Sequence, residues 1–119
     1  MAEHNFKNII AWQKARKIIP SIYTMVNKFP SDEKYALMSQ IKRAAVSISS
    51  NIAEGSGRNT DKDFAYFLDV ALGSANELES ELIIATDINF ITQKEFNDII
   101  VKIDEIQKLI VGLQKMLRK

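Results

Sequence analysis

Few residues of this sequence could carry out bond-making chemistry, and none of them has a suitable partner close by. His4 is the one histidine, and it lies in a polar lead-in, where terminal segments are often loose and a catalytic pair is not expected. The chain has no cysteine, which excludes thiolate chemistry and a disulfide framework. Gly55 and Gly57 follow no predicted strand, so they are not part of a dinucleotide fingerprint. We therefore expect no enzyme activity.

The acidic residues in the third quarter of the chain do not predict a metal site. Glu77, Glu79 and Glu81 spread around a helix, and the sequence lacks the Glu-x-x-His pairs of di-iron bundles. Glu77 and Glu81 stand at i and i+4, which places them on one helix face, and the usual interpretation of such a pair is a solvated edge. We expect neither a metal nor any other cofactor.

Basic residues are concentrated in the first half of the chain. Residues 1–60 hold nine Lys and Arg against four Asp and Glu, whereas residues 61–91 hold one against seven, and the net charge is +1. Lys and Arg clustered on one face indicate phosphate binding, although an ordinary solvated face fits the same pattern. The candidate nucleic-acid contacts are Lys14, Lys17, Lys28, Lys42, Arg43 and Arg58.

Arg58 is the most specific of these candidates. It follows Gly55-Ser56-Gly57 in a predicted flexible turn, where a guanidinium can bind a phosphate with two hydrogen bonds. The alternative is that Arg58 caps backbone carbonyls at the end of the preceding helix.

The second predicted helix has an outer face of small polar residues, where a chain this rich in charge usually carries Lys and Glu. Small side chains allow close approach, so we expect this face to pack on another helix or another subunit through a polar network. Ligand binding is the less favoured alternative. The network residues are predicted to be Gln13, Gln40, Arg43, Ser47, Asn51, Glu54 and Glu77.

The third predicted helix carries apolar residues that its core stripe does not need. Tyr66, Val70, Gly73 and Ile84 lie away from that stripe, although scattered exposed apolar residues are common in proteins. Together with the polar face of the second helix, they predict self-association.

These residues must be positioned by helices, because apolar residues recur at three- and four-residue intervals and no strand pattern occurs. The expected fold is all-α, an antiparallel up-down-up-down four-helix bundle in a single domain, residues 1–119. The predicted helices span residues 9–29, 32–54, 61–88 and 93–118.

Local signals predict how these helices begin and end. Ser31 is placed to cap the second helix, and Thr92 with Glu95 forms a capping box before the fourth. Gly55-Ser56-Gly57 predicts a flexible turn or a left-handed cap, and Asn89 a helix stop. Pro20 predicts a kink within the first helix.

The segment Ser39 to Arg58, SQIKRAAVSISSNIAEGSGR, closely resembles the signature of the 23S rRNA intervening-sequence proteins, a bacterial family of small four-helix bundles. Trp12-Gln13-Lys14-Ala15 resembles the first-helix motif of that family, and Phe29-Pro30 with Glu33 resembles its first turn. Its third-helix motif is similar to Phe64, Phe67-Leu68, Ala71-Leu72-Gly73-Ser74 and Glu77-Leu78-Glu79.

This resemblance implies a four-helix bundle, a ring-shaped homopentamer and no catalytic role. It also implies a relation to the accessory proteins of diversity-generating retroelements, which associate with reverse transcriptase and nucleic acid. Two functions stay open: an oligomeric accessory protein that binds structured RNA or DNA, and an oligomeric scaffold that binds a protein partner but no nucleic acid. We expect a cytoplasmic protein, since no apolar run reaches the roughly 18 residues of a membrane span.

Overall fold

The computed structural model describes residues 4–33 and 36–119, and these residues form helices and connecting turns without any strand. Single 3-10 turns at Phe6–Asn8 and Ser31–Glu33 precede the first and second long helices. The four long helices are α1 (Ile10–Val26), α2 (Leu37–Ser56), α3 (Asp61–Asp87) and α4 (Gln93–Leu117).

Each long helix packs against its neighbours in the sequence, and α1 also contacts α4, which closes the bundle. Because short connections join helices that lie side by side, successive helices run in opposite directions. The predicted four-helix bundle is confirmed, with dimensions of 48 × 24 × 19 Å. The α2/α3 seam, where contact is most extensive, therefore lies opposite the α1/α4 seam, where contact is least.

The core is built from aliphatic side chains at helical spacing. In α4, the three- and four-residue alternation of Ile99, Ile103 and Ile106 predicts core positions, and all three side chains are buried. In α1, however, Ile18 is buried, whereas the neighbouring Ile19, which the three- and four-residue spacing from Ala15 to Ile22 predicts as the core residue, is only half-buried. Isoleucine at both positions satisfies the helical period, so packing against α2 and α4, rather than the pattern, decides which one faces inward.

The end of α3 and the start of α4 follow the local signals. The Thr92 hydroxyl accepts a hydrogen bond from the Glu95 N–H at 3.0 Å, and the Glu95 carboxylate accepts one from the Thr92 N–H at 2.9 Å. This confirms the predicted capping box. Asn89 has a φ of 63°, and the Phe90 N–H donates to the Ala85 carbonyl at 2.8 Å. This Schellman-type arrangement ends α3 at the predicted stop.

The start of α2 differs from the prediction. Ser31 belongs to a separate 3-10 turn, and α2 begins at Leu37, so the expectation that Ser31 caps this helix is wrong. Asp32 and Glu33, which could have opened the helix at its positive end, belong to that turn instead. Residues 34 and 35 lie outside the described part of the chain. In α1, the helix continues through Pro20, whose side chain is exposed.

The end of α2 is set by close packing rather than by a left-handed glycine. Gly57 has a φ of −89°, so the left-handed cap, one of the two predicted alternatives, does not form, and α2 continues to Ser56, beyond its predicted end at residue 54. A Cβ atom on Gly55 would lie 2.7 Å from the Cβ of Phe67 and 2.9 Å from the Cδ1 of Phe64. Glycine is needed at position 55 because α3 approaches the α2 backbone there.

Candidate functional site

The α1/α4 seam holds a cleft of about 180 Å³ with an excess of positive charge. It is lined by Lys14, Lys17 and Ile18 from α1, and by Lys102 and Glu105 from α4. The Lys14 ammonium lies 3.6 Å from the Glu105 carboxylate. Within residues 4–33 and 36–119, no carboxylate lies within 4.0 Å of Lys17 or Lys102. The cleft lining thus carries three ammonium groups and one carboxylate, which makes the cleft suitable for an anion.

Two other predicted phosphate contacts are held by neighbouring side chains. The Lys28 ammonium donates to the Glu95 carboxylate at 3.1 Å, at the end of α1. The Lys42 ammonium donates to the Asn27 side-chain oxygen at 2.9 Å and lies 4.8 Å from the centre of the Tyr23 ring. These contacts use part of the hydrogen-bonding capacity of both lysines within the chain.

Arg58 and Arg43 lie away from the lysine cleft. The Arg58 guanidinium lies 4.6 Å from the centre of the Phe67 ring, and its Nε is 3.9 Å from the Glu54 carboxylate. Arg43 lines a cleft on the α2/α3 seam, on the opposite side of the bundle from Lys17. The six predicted cations therefore do not form one continuous surface.

The small polar face of α2 forms hydrogen bonds in the α2/α3 seam. The hydroxyl oxygens of Ser47 and Ser74 are 2.8 Å apart, and the Asn51 amide donates to the Ser47 hydroxyl at 2.9 Å and to its carbonyl at 2.8 Å. Ser74 of α3 is not among the predicted network residues. The sequence does indicate the position of Ser74, because Ser74 follows Phe67 by seven residues and therefore lies on the same helix face.

The remaining predicted network residues are spread over three places. Gln13 donates to the Lys7 carbonyl at 2.7 Å, near the N-terminus, and Glu54 lies near Arg58. A shallow cleft of about 150 Å³ in the α2/α3 seam is lined by Gln40, Arg43, Ala44, Ser47 and Glu77.

Glu81 is a functional candidate that the sequence pattern did not identify. Its side chain is only 6% exposed, and its Oε1 has no hydrogen-bond partner. Burial, reinforced by the nearby Glu77 carboxylate, raises the pKa of Glu81 to about 7. The expectation of a solvated edge is therefore wrong for Glu81, although Glu77 is exposed. Glu81 follows Ser74 by seven residues, so it lies on the α3 face that packs against α2.

An exposed apolar strip runs beside this seam on the outside of α3. Tyr66 is 61% exposed, Val70 is 37% exposed and Ile84 is 47% exposed. Gly73 lies between them, and a Cβ atom added there would meet nothing within 4 Å. The strip adds apolar area to a face that also carries small polar residues.

His4 contacts the start of α3 rather than a reactive group. Its Nε2 lies 4.0 Å from the Asp61 carboxylate, and its ring packs edge-on against Phe64, with 5.0 Å between ring centres. These contacts connect the N-terminal segment to α3.

Two negative findings apply to the described part of the chain. It contains no group of three or more His, Asp or Glu side chains arranged to hold a metal ion. None of its helices combines the length and apolar character needed to cross a membrane.

Comparisons with known proteins agree with this geometry. Residues 7–112 match the family described as 23S rRNA-intervening sequence protein. The crystal structure of a protein of unknown function from the S23 ribosomal protein family of Bacteroides thetaiotaomicron is 28% identical, with a TM-score of 0.79. That match covers 89% of this chain and 99% of the other. No curated protein matches the sequence.

Proposed function

Because this chain belongs to the 23S rRNA-intervening sequence protein family, we propose that it is a non-catalytic, homo-oligomeric bundle that binds structured RNA along the α1/α4 seam. The observation that supports this most directly is the cleft lined by Lys14, Lys17 and Lys102 with a single carboxylate, that of Glu105. RNA phosphates are the abundant polyanion that such a cleft suits.

The chemistry of the cleft favours contact with the RNA backbone. Lysine ammonium groups act as point charges toward phosphates, and such contacts position a protein without reading base edges. Glu105 competes with phosphate for Lys14, since their charged groups are 3.6 Å apart. An RNA phosphate that binds Lys14 must therefore compete with the Glu105 carboxylate. Neutralising Glu105 should strengthen the binding of RNA.

Self-association through the α2/α3 face would leave the α1/α4 seam open, because the two seams lie on opposite sides of the bundle. Several copies of one modest cleft on a ring gain avidity when a long polyanion spans them. The resemblance to pentameric relatives makes five subunits the expected number. A relation to retroelement accessory proteins fits RNA binding by such an oligomer, and we expect it to act in the cytoplasm. Light scattering should give a mass several times 13.5 kDa.

The test is filter binding of a structured RNA at two salt concentrations. The Lys17→Ala/Lys102→Ala variant should bind about tenfold more weakly at low salt, with the slope of log affinity against log salt reduced by about 2. Glu105→Gln should bind more tightly than the unmodified protein. The matched control is Lys62→Ala/Lys108→Ala, which removes the same charge from exposed positions outside the cleft.

Equal losses in the cleft variant and in the control would contradict a specific role of the α1/α4 seam. An oligomer that binds no structured RNA at low salt would remove the RNA function altogether. It would leave a protein-interaction scaffold, which the exposed Tyr66, Val70 and Ile84 of α3 favour as the second candidate. A monomer at high concentration would contradict self-association.

A further inference from the structure

The α2/α3 seam withdraws one carboxyl group from water without giving it a full set of partners. Glu81 is 6% exposed, and its Oε1 accepts no hydrogen bond. Buried charged groups in proteins are normally paired or fully hydrogen-bonded, because an unsatisfied buried oxygen loses its hydration without compensation. Because the Oε1 atom is closed off from the surface, an added positive charge would act on this carboxylate from the neighbouring cleft, which Glu77 lines.

The surroundings of Glu81 leave room for a positive charge. Glu77, one helical turn earlier, lines the cleft of about 150 Å³, and its charge acts on Glu81. Arg43 of α2 lines the same cleft but makes no ion pair with Glu77 within 4.0 Å, both residues belonging to the described part of the chain. The other α2 residues lining this cleft, Gln40, Ala44 and Ser47, carry no charge. Lys34 and Tyr35 lie outside the described residues.

We infer that Glu77 and Glu81 form an acceptor site for a basic side chain, an ammonium or guanidinium group, that a second copy of this chain inserts into the α2/α3 seam. The inference rests on the self-association that the proposed function includes. It assigns to that contact a specific charged anchor. A metal ion is the less suitable occupant, since the described residues include no third His, Asp or Glu that could complete a metal site.

Charge distribution favours a second copy as the source of this cation. Residues 61–91, which contain α3, hold one Lys or Arg against seven Asp and Glu, whereas residues 1–60 hold nine against four. One copy therefore offers the acidic face and another element of its neighbour offers the basic one, which is a head-to-tail contact of the type that closes into rings.

Apolar residues border the acceptor site on the same helix face. Val70 and Ile84 lie seven residues before and after Glu77, two turns in each direction, and both are exposed. A subunit that covers them would exclude water from the cleft and strengthen the ion pair inside it.

The acceptor must be ionised to pair with a cation, so assembly should release a proton from Glu81. In the single chain the pKa of Glu81 is about 7. The association constant should therefore rise with pH up to this value, by as much as about tenfold per pH unit for one proton released per contact. Glu77 and Arg43 are the charged groups of the described cleft that act beside it.

The experiment is a dilution series followed by sedimentation at about pH 6 and about pH 8. The unmodified protein should have a dissociation constant several-fold to tenfold lower at the higher pH. Glu81→Gln should assemble weakly, with no change between the two values. The matched control is Glu79→Gln, because Glu79 lies on the α4 side of the same helix and accepts from Gln107 at 2.9 Å. It should assemble like the unmodified protein.

Circular dichroism of Glu81→Gln checks that the bundle still folds. A dissociation constant that is equal at both pH values, or a Glu81→Gln variant that assembles as tightly as the unmodified protein at pH 8, overturns the inference. A chain that stays monomeric at both pH values overturns self-association and the inference together. Loss of RNA binding alone overturns only the proposed RNA function, since it leaves the pH dependence of assembly in place.

Discussion

The two seams on opposite sides of the bundle pack their helices in different ways. At the α2/α3 seam, Gly55, Ala44 and the paired hydroxyls of Ser47 and Ser74 let the backbones come close. At the α1/α4 seam, clefts of about 180 Å³ and about 350 Å³ remain. A cleft of about 150 Å³ also remains at the α2/α3 seam. Small residues nevertheless bring these two helices into more extensive contact than the long charged residues allow at the α1/α4 seam.

This difference has an electrostatic consequence that two glutamates show. At the tight seam, burial raises the pKa of Glu81 to about 7. At the open seam, the backbone N–H of Thr92 and the Lys28 ammonium lower the pKa of Glu95. The same side chain is therefore pushed toward its neutral form where water is excluded and toward its charged form where donors reach it.

The largest expected effect is a difference in unfolding free energy between core substitutions beneath the two seams. Ile48→Ala removes a fully buried side chain from α2 and should cost about 2–5 kcal/mol, including a cavity contribution. Ile18→Ala alters a side chain that lines the α1/α4 cleft, so solvent can relax into the space and the cost should be at least about 1 kcal/mol smaller. Urea unfolding measures both free energies.

A suitable control for this pair is Val101→Ala, because Val101 is 69% exposed and its truncation should change stability by less than about 0.5 kcal/mol. If Ile18→Ala proves as costly as Ile48→Ala, the α1/α4 seam is packed as tightly as the other and the comparison breaks down.

The second prediction concerns the pH dependence of folding at the tight seam. Because the folded-state pKa of Glu81, about 7, exceeds its ordinary value of 4.5, Glu81 contributes stability below pH 4.5. That contribution is lost as the pH rises through 7 and amounts to about 3 kcal/mol. Glu81→Gln should therefore gain stability relative to the unmodified protein between about pH 5 and about pH 8. Urea unfolding of dilute, dissociated protein at both values measures this gain.

Because the gain is measured as the difference in stability between Glu81→Gln and the unmodified protein, the titration of the other carboxyl groups cancels. A constant difference across this pH range would show that water or a further partner reaches Glu81 in the single chain. Glu79→Gln provides the comparison, since Glu79 is half-buried and hydrogen-bonded to Gln107.

A smaller effect is expected from adding one methyl group at the tight seam. Gly55→Ala brings a Cβ within 2.7 Å of the Phe67 Cβ and should cost about 1–3 kcal/mol through overpacking. Gly112→Ala in α4 meets nothing within 4 Å and should instead stabilise by about 0.5–1 kcal/mol through helix propensity. Thermal melting of both variants gives the sign. A stabilising Gly55→Ala would mean that α3 moves away from α2 at little cost.

Most of the fold was predictable from the sequence because the helical period and the caps are local properties. The capping box at Thr92 and the stop at Asn89 depend on residues a few positions apart. The choice between Ile18 and Ile19 as core residue depends on distant helices, so periodicity alone selected Ile19, although Ile18 is the buried one. The separate turn at Ser31 also escaped prediction, since the residue is equally suited to capping and to turns.

The site was less predictable, because burial of a polar residue depends on what lies opposite it. The pattern identified Ser47 and Asn51 as network residues but missed Ser74, which completes their hydrogen bonds from α3. Glu81 looks like any surface glutamate until the helix register places it in the seam. Likewise, Lys102 joins Lys17 only once α4 packs beside α1.

The smallest expected effect lies at the open seam, where Lys28 pairs with Glu95 at 3.1 Å. Because this pair is exposed to water, Lys28→Ala should cost no more than about 1 kcal/mol, and less in high salt. The pH dependence follows from the lowered pKa of Glu95. The contribution of this carboxylate to folding stability is present above pH 4.5 and is lost as the pH falls. The difference between Lys28→Ala and the unmodified protein should therefore vanish in acid, as urea unfolding at neutral and acidic pH would show. A loss well above 1 kcal/mol that salt does not reduce would mean that this seam, too, excludes water.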